Sequence, residues 1–203
     1  MRALIAAIGT TLLAGCATNS VDESLLNKPG VELSSDSSGI AYIETVEINK
    51  PGYQLEKDDL PLCLVKNVSN PSVTLKGRSS TYVSPFTGIA YSDTETSDVA
   101  GGEVLKYVTE DGLEAVAQGV EKYAPSSIGM TLEKYLRYSL GVKVSANSTT
   151  YHFDKLEQAL EDAGATSLMG FKKVGAWSSS DPVAAYSTLE SIADRIDRCL
   201  ASR

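Results

Sequence analysis

Between Leu136 and Ser145 every second residue is apolar. Leu136, Tyr138, Leu140, Val142 and Val144 alternate with Arg137, Ser139, Gly141, Lys143 and Ser145. A period of two held over this distance predicts a strand with one face buried and the other wet. After the polar turn Ala146-Asn147-Ser148, alternation resumes at Thr149, Tyr151 and Phe153, so the unit predicts a β-hairpin, with Gly141 as the expected place for a bend or bulge. Leu113, Val116, Ala117, Val120 and Tyr123 fit helical spacing as well as a strand. The preceding Asp111-Gly112, a dipeptide suited to tight hairpin turns, favours strands over 103–108 and 113–123. Further short strands are expected over 40–48, 62–68, 72–76 and 80–84, punctuated by Pro51-Gly52, Asn70-Pro71 and Lys76-Gly77.

Two helices are expected in the C-terminal half. Asp154 can cap a segment in which Leu156, Ala159, Leu160 and Ala163 share a face, with Gly164 as its stop. The second begins with Asp181 as cap and Pro182 in the first turn. Its stripe is Leu189, Ile192, Ala193, Ile196, Cys199 and Leu200, with Glu190, Asp194, Arg195, Asp197 and Arg198 towards water. Between the two, 168–174 is expected to be a strand. The order of elements argues for an α+β fold, a mainly antiparallel β-sheet with two C-terminal-half helices packed on it.

The N-terminus follows a different rule. Arg2 precedes an apolar run from Ala3 to Leu13 that closes on Leu13-Ala14-Gly15-Cys16. A positive start, a short apolar core and small residues before a cut site describe a secretory signal, since a membrane span needs about 20 apolar residues. The tetrapeptide resembles the lipobox of bacterial lipoproteins. The resemblance implies cleavage after residue 15 and acylation of Cys16. At about 0.8 kcal/mol per buried methylene, such acyl chains anchor a protein durably to a bilayer. Ala17 stands where an aspartate would imply inner-membrane retention, so the implied location is the periplasmic face of the outer membrane. No family resemblance extends into the remainder of the chain.

Residues 17–38 are rich in Ser, Asp, Asn and Gly with isolated aliphatics, so 16–38 is expected to be a lipidated, flexible tether. As a coil the 22 residues 17–38 would span roughly 26 Å, and at full stretch about 75 Å. Residues 39–203 are expected to form one periplasmic domain.

Charge and cysteine content narrow the function classes. The net charge is −8, and becomes −9 once residues 1–15, whose only charge is Arg2, are removed. That balance argues against nucleic acid and against electrostatic docking on anionic lipid. With Cys16 taken by lipid, Cys63 and Cys199 remain, and an oxidising compartment favours a disulfide between them.

The chain carries no zinc-protease, serine-hydrolase, P-loop, calcium-loop or dinucleotide signature, so no catalytic residue, metal or cofactor is assigned. The single histidine, His152, is expected on the wet face of its strand, and the acidic residues Asp93, Glu95, Asp98, Glu103, Glu110 and Asp111 on a solvated loop. Ten tyrosines, among them Tyr42, Tyr82, Tyr107, Tyr138 and Tyr151, serve either cross-strand packing or a binding surface. The expected role is that of a non-enzymatic envelope component that binds a protein or glycan partner. A hydrolase would require a concave polar site, and a ligand carrier an apolar cavity of a few hundred Å³.

Overall fold

The computed structural model describes residues 20–127, 130–164 and 166–203. Cys16 and the signal segment lie outside these residues. In chain order the elements are α1 (Glu23–Leu26), β1 (Val31–Ser35), β2 (Ala41–Pro51), α2 (Asp59–Asn67), β3 (Val73–Val83), β4 (Ala90–Val99), β5 (Leu105–Val108) and β6 (Glu114–Tyr123). There follow the two-residue β7 (Ser126–Ser127) and β8 (Met130–Thr131), then β9 (Lys134–Val144), β10 (Ser148–Leu160), β11 (Lys172–Lys173) and α3 (Pro182–Leu200). The main sheet runs β1-β2-β10-β9-β6-β5, with β11 also on β10, and every pairing in it is antiparallel. The α+β class therefore holds.

The expected hairpin is the centre of the sheet. β9 buries Leu136, Tyr138, Leu140, Val142 and Val144, and β10 answers with Thr149, Tyr151 and Phe153. Gly141 pairs with His152 in unbroken register, so the bulge lies elsewhere, between Asp154 and Glu157, where Lys155 takes φ 50°. β6 confirms the strand reading of 113–123. Gly112, at φ +73°, forms the turn before it and lies so close to the Lys57 carbonyl that a Cβ would collide.

Helices α2 and α3 cover the inner face. Leu60, Cys63 and Leu64 of α2, and Tyr186, Leu189, Ile192, Ala193, Ile196 and Leu200 of α3, pack into one core with the inward residues of β2, β6, β9 and β10. Cys63 and Cys199 form a disulfide with Cα atoms 5.7 Å apart. It joins helix to helix rather than helix to strand. Polar ties flank α3: Lys50 to Asp194 at 2.6 Å, Tyr53 to Asp197 at 3.0 Å and Arg195 to Glu121 at 3.0 Å.

Three expectations are corrected. The run 62–68 is the body of α2. Leu62 and Val65 are apolar but exposed, and they fill in the gaps that would have revealed helical spacing. Residues 154–163 are not a helix but the second half of β10 and its exit. The bulge puts Leu156 into the main core and Ala159 into a separate cluster on the outer face. Two residues on opposite faces thus imitate an i, i+3 pair. Of 168–174 only Lys172–Lys173 is strand.

The tether is corrected as well. Val21 bridges to Trp177, the Asp22 amide donates to the Ala176 carbonyl at 2.8 Å, and the Asp22 carboxylate caps α1 through the Ser24 amide. Leu25 is fully buried, and β1 adds an edge to β2. Segment composition underestimated this, because a few aliphatics suffice when a finished sheet supplies the remaining apolar surface and the main-chain partners.

β3 and β4 form a separate hairpin whose base covers the outer face. Val73 and Leu75 meet Val120 and Ala159, with Tyr135, Leu168 and Phe171 around them and Arg137 stacked 4.4 Å over Phe171. Beside this cluster Lys122 bridges Glu133 at 2.7 Å and Glu161 at 2.8 Å, and the Tyr135 hydroxyl donates to Glu161.

Two measurements test this description. Replacing Cys63 and Cys199 together by alanine should lower stability by about 3–5 kcal/mol, read as a lower urea midpoint, because the bridge closes a loop of more than a hundred residues. The Lys122 ammonium, first among its neighbours, holds the Glu161 carboxyl at about 2. Its contribution is present above the ordinary value near 4.5 and is lost as pH falls from there towards 2. Glu161→Gln should flatten the acid limb of the stability profile over that window, and added salt should shrink the difference.

Candidate functional site

A cleft of about 1000 Å³ opens between the β1–β2 edge, the end of β10 and the segment 163–173. Its character follows from three local features. First, β2 places Tyr42 beside Trp177, the single tryptophan, with ring centroids 5.8 Å apart and planes at 75°. Gly175 makes this possible: the Trp177 ring lies across it, within 2.3 Å of where a Cβ would be. Second, Leu132, Leu160, Leu168 and Met169 supply aliphatic lining, and Met169 is 66% exposed. Third, a polar cluster closes the end nearest α3.

In that cluster the Tyr123 hydroxyl donates to Gln158 Oε1 at 2.6 Å. Gln158 Nε2 donates to Ser180 Oγ at 2.7 Å, and the Gly175 amide donates to the same oxygen at 2.9 Å. Lys134, buried at the start of β9, donates to the Ser180 carbonyl at 3.2 Å and to Asp181 Oδ2 at 2.7 Å. Asp181 therefore does not cap α3 with its side chain; it takes φ 60° and turns its carboxylate to Lys134. Burial drives the Tyr123 hydroxyl above its ordinary range, with the Asp181 charge adding to it. Every polar group here is spent on holding the turn Ser178–Asp181 in place. Ser180 and Lys134 share a wall, yet their side chains do not meet, so they form no nucleophile–base pair.

At the other wall the Tyr42 hydroxyl donates to Asp36 Oδ2 at 3.2 Å. Backbone amides of Ile40 and Ser38 hold the Asp36 carboxyl below its ordinary range, and burial ahead of Asp36 raises that of Tyr42. Both the aromatic wall and the polar end are pre-formed. The arrangement can receive an apolar group against the rings and the methionine, with the exposed Lys172 and Lys173 at the rim.

The residues singled out from sequence do not converge here. Cys63 and Cys199 are on the helical layer, and Cys16 is outside the described residues. His152 is exposed on β10 opposite Glu47 and Gly141. Asp93, Glu95 and Asp98 lie on β4, a strand rather than a loop, and Glu103, Glu110 and Asp111 are spread along the segments that follow. Tyr138 and Tyr151 are core, Tyr82 and Tyr107 are exposed, and only Tyr42 reaches the cleft. Sequence reasoning missed Trp177, Lys134, Gln158 and Asp181 as a group. The available signal was Gly175-x-Trp177, a glycine two positions from the chain's one indole.

No protein-family model matches the chain, and no curated protein does either. Among solved structures, a DUF4468 family protein from Bacteroides ovatus is similar at 8% identity, over 89% of this chain and 96% of that one, with a TM-score of 0.47.

Lys134→Met should destabilise the protein by about 2–3 kcal/mol, since it removes the ammonium partner of the Asp181 carboxylate and leaves the Ser180 carbonyl with Gln158 Nε2 alone. Because Trp177 adjoins the same turn, its emission should shift to the red in the folded variant, measured by fluorescence below the unfolding transition.

Proposed function

We propose that this protein is a lipid-anchored envelope lipoprotein with a non-enzymatic binding role, and that the Tyr42–Trp177 cleft is where it binds. The anchor rests on the Leu13-Ala14-Gly15-Cys16 resemblance, with attachment at Cys16 on the periplasmic face of the outer membrane. The binding role rests on one observation: a cleft of about 1000 Å³ whose exposed lining is mainly apolar, with Tyr42 and Trp177 on one wall and, at the end nearest α3, Lys134, Gln158, Ser180 and Asp181 hydrogen-bonded among themselves. Such a site favours a ligand with an apolar portion, and Ser180 and Lys134, the buried pair at its polar end, are held by other partners. A disulfide between Cys63 and Cys199 suits the oxidising periplasm.

The lone tryptophan makes the reading testable. Peptide, glycan and lipid fractions of the envelope are titrated into the protein while Trp177 emission and the thermal midpoint are followed. One fraction should move both, and Tyr42→Ala should weaken its binding at least tenfold while leaving the fold intact. If no fraction perturbs Trp177, or if Tyr42→Ala leaves the affinity unchanged, the cleft is not the binding site. Mass spectrometry of the N-terminal peptide tests the anchor separately: an acylated Cys16 is expected, and an unmodified one would refute it.

A further inference from the structure

One surface is not used by the cleft. The β3–β4 hairpin runs on beyond the sheet, and from Ser79 to Ser92 it carries no charged residue, in a chain that is 22% charged. Its tip exposes Phe86 at 96%, and Val83, Ile89 and the facing pair Tyr82 and Tyr91 at more than half. Soluble surfaces scatter such residues singly; here they converge on one projecting loop.

The topology says where that loop points. Lys76 of β3 bridges in parallel to Asp162, just past the end of β10, through Lys76 N to Glu161 O and Ala163 N to Lys76 O, both 2.8 Å. β3 therefore leaves the body in the direction in which β10 ends. The other end of the described chain leaves from the same side: Val21 bridges to Trp177, ahead of the turn Ser178–Asp181 that is bound by Lys134, the first residue of β9. Two lengths then decide the outcome. From Lys76 to Val83 the hairpin arm extends about 23 Å. From Cys16 to Ser20 the chain spans at most about 14 Å. A bilayer holding an acyl chain at Cys16 is thus within reach of the hairpin tip.

We infer that the β3–β4 hairpin is a second membrane contact, inserting Phe86 and Ile89 into the acyl region of the bilayer that holds Cys16, with Tyr82 and Tyr91 at the headgroup level. The inference rests on the proposed acylation. The pairing of an apolar tip with flanking tyrosines matches the depth profile of a membrane interface, where ring and hydroxyl are satisfied together. The absence of charge over Ser79–Ser92 suits a neutral lipid surface, which a strongly acidic protein approaches without the help of cationic side chains. The anchor would then fix the orientation of the body as well as its location.

The test uses full-length protein matured and acylated in cells, with Phe86→Trp in a Trp177→Phe background, in vesicles of phosphatidylethanolamine and phosphatidylcholine. A second protein carries its probe at the β9–β10 turn, Asn147→Trp, at the opposite end of the sheet. Replacing the phosphatidylcholine with an acyl-brominated form should quench the probe at 86 at least threefold and leave that at 147 unaffected. Adding Ile89→Asp, at an exposed position, should abolish most of the quenching without changing the far-ultraviolet spectrum. An acylated protein whose probe at 86 is unquenched overturns the inference. A blue-shifted but unquenched probe overturns it in favour of burial against another protein. If mass spectrometry of the same sample shows Cys16 unmodified, the anchoring reading fails first and the second contact falls with it.

Discussion

The burial of the α3 stripe against the inner face of the β9–β10 hairpin is the interaction on which the rest depends. Tyr138, Leu140, Tyr151 and Phe153 on the sheet and Leu189, Ile192 and Ile196 on the helix are almost completely withdrawn from water. At about 1.5–3 kcal/mol for each large apolar side chain, this layer outweighs any single polar contact in the molecule. It also explains the placement of the ion pairs. Lys50, Glu121 and Tyr53 meet the charged flanks of α3, where they orient the helix without being buried beneath it.

The disulfide acts on the same layer. α2 is a short helix, and two of its apolar residues, Leu62 and Val65, face water. Its hold on the sheet comes from Leu60, Cys63 and Leu64, and the bond to Cys199 ties that limited surface to the far larger one of α3. The bridge constrains the unfolded chain across most of its length, which is where its stabilisation arises in the chain-entropy account.

The cleft and the N-terminal segment depend on each other. Val21 pairs with Trp177, and Asp22 donates to Ala176, so the chain entering from the N-terminus packs against the turn that carries the aromatic wall. A segment read as a spacer is in fact part of the site's support. In the proposed setting this leaves four peptide links between Cys16 and the folded body in place of a tether of some 26 Å. An acylated Cys16 would then hold the body close to the bilayer, and the surface facing it would become significant.

Strand periodicity over 136–144 and 149–153, the Asp111-Gly112 turn, the Asp181-Pro182 start and the α3 stripe were legible because each is a local pattern that one buried face imposes. The cysteine pairing was expected from number and from the compartment that the lipobox resemblance implies. The helix at 59–67, the strand at 154–160 and the ordered residues 20–35 were not, because exposed apolar residues, a bulge between two buried faces and partners distant in sequence decide them. The β3–β4 hairpin has a distal half exposed on both faces and so offers no alternation to read. By itself the sequence determined the class of fold, the central hairpin and the last helix. Only the tertiary structure brought Tyr42, Lys134, Gln158, Trp177 and Asp181 to one cleft, because their contacts are set by strand pairing and burial, which no spacing along the chain records.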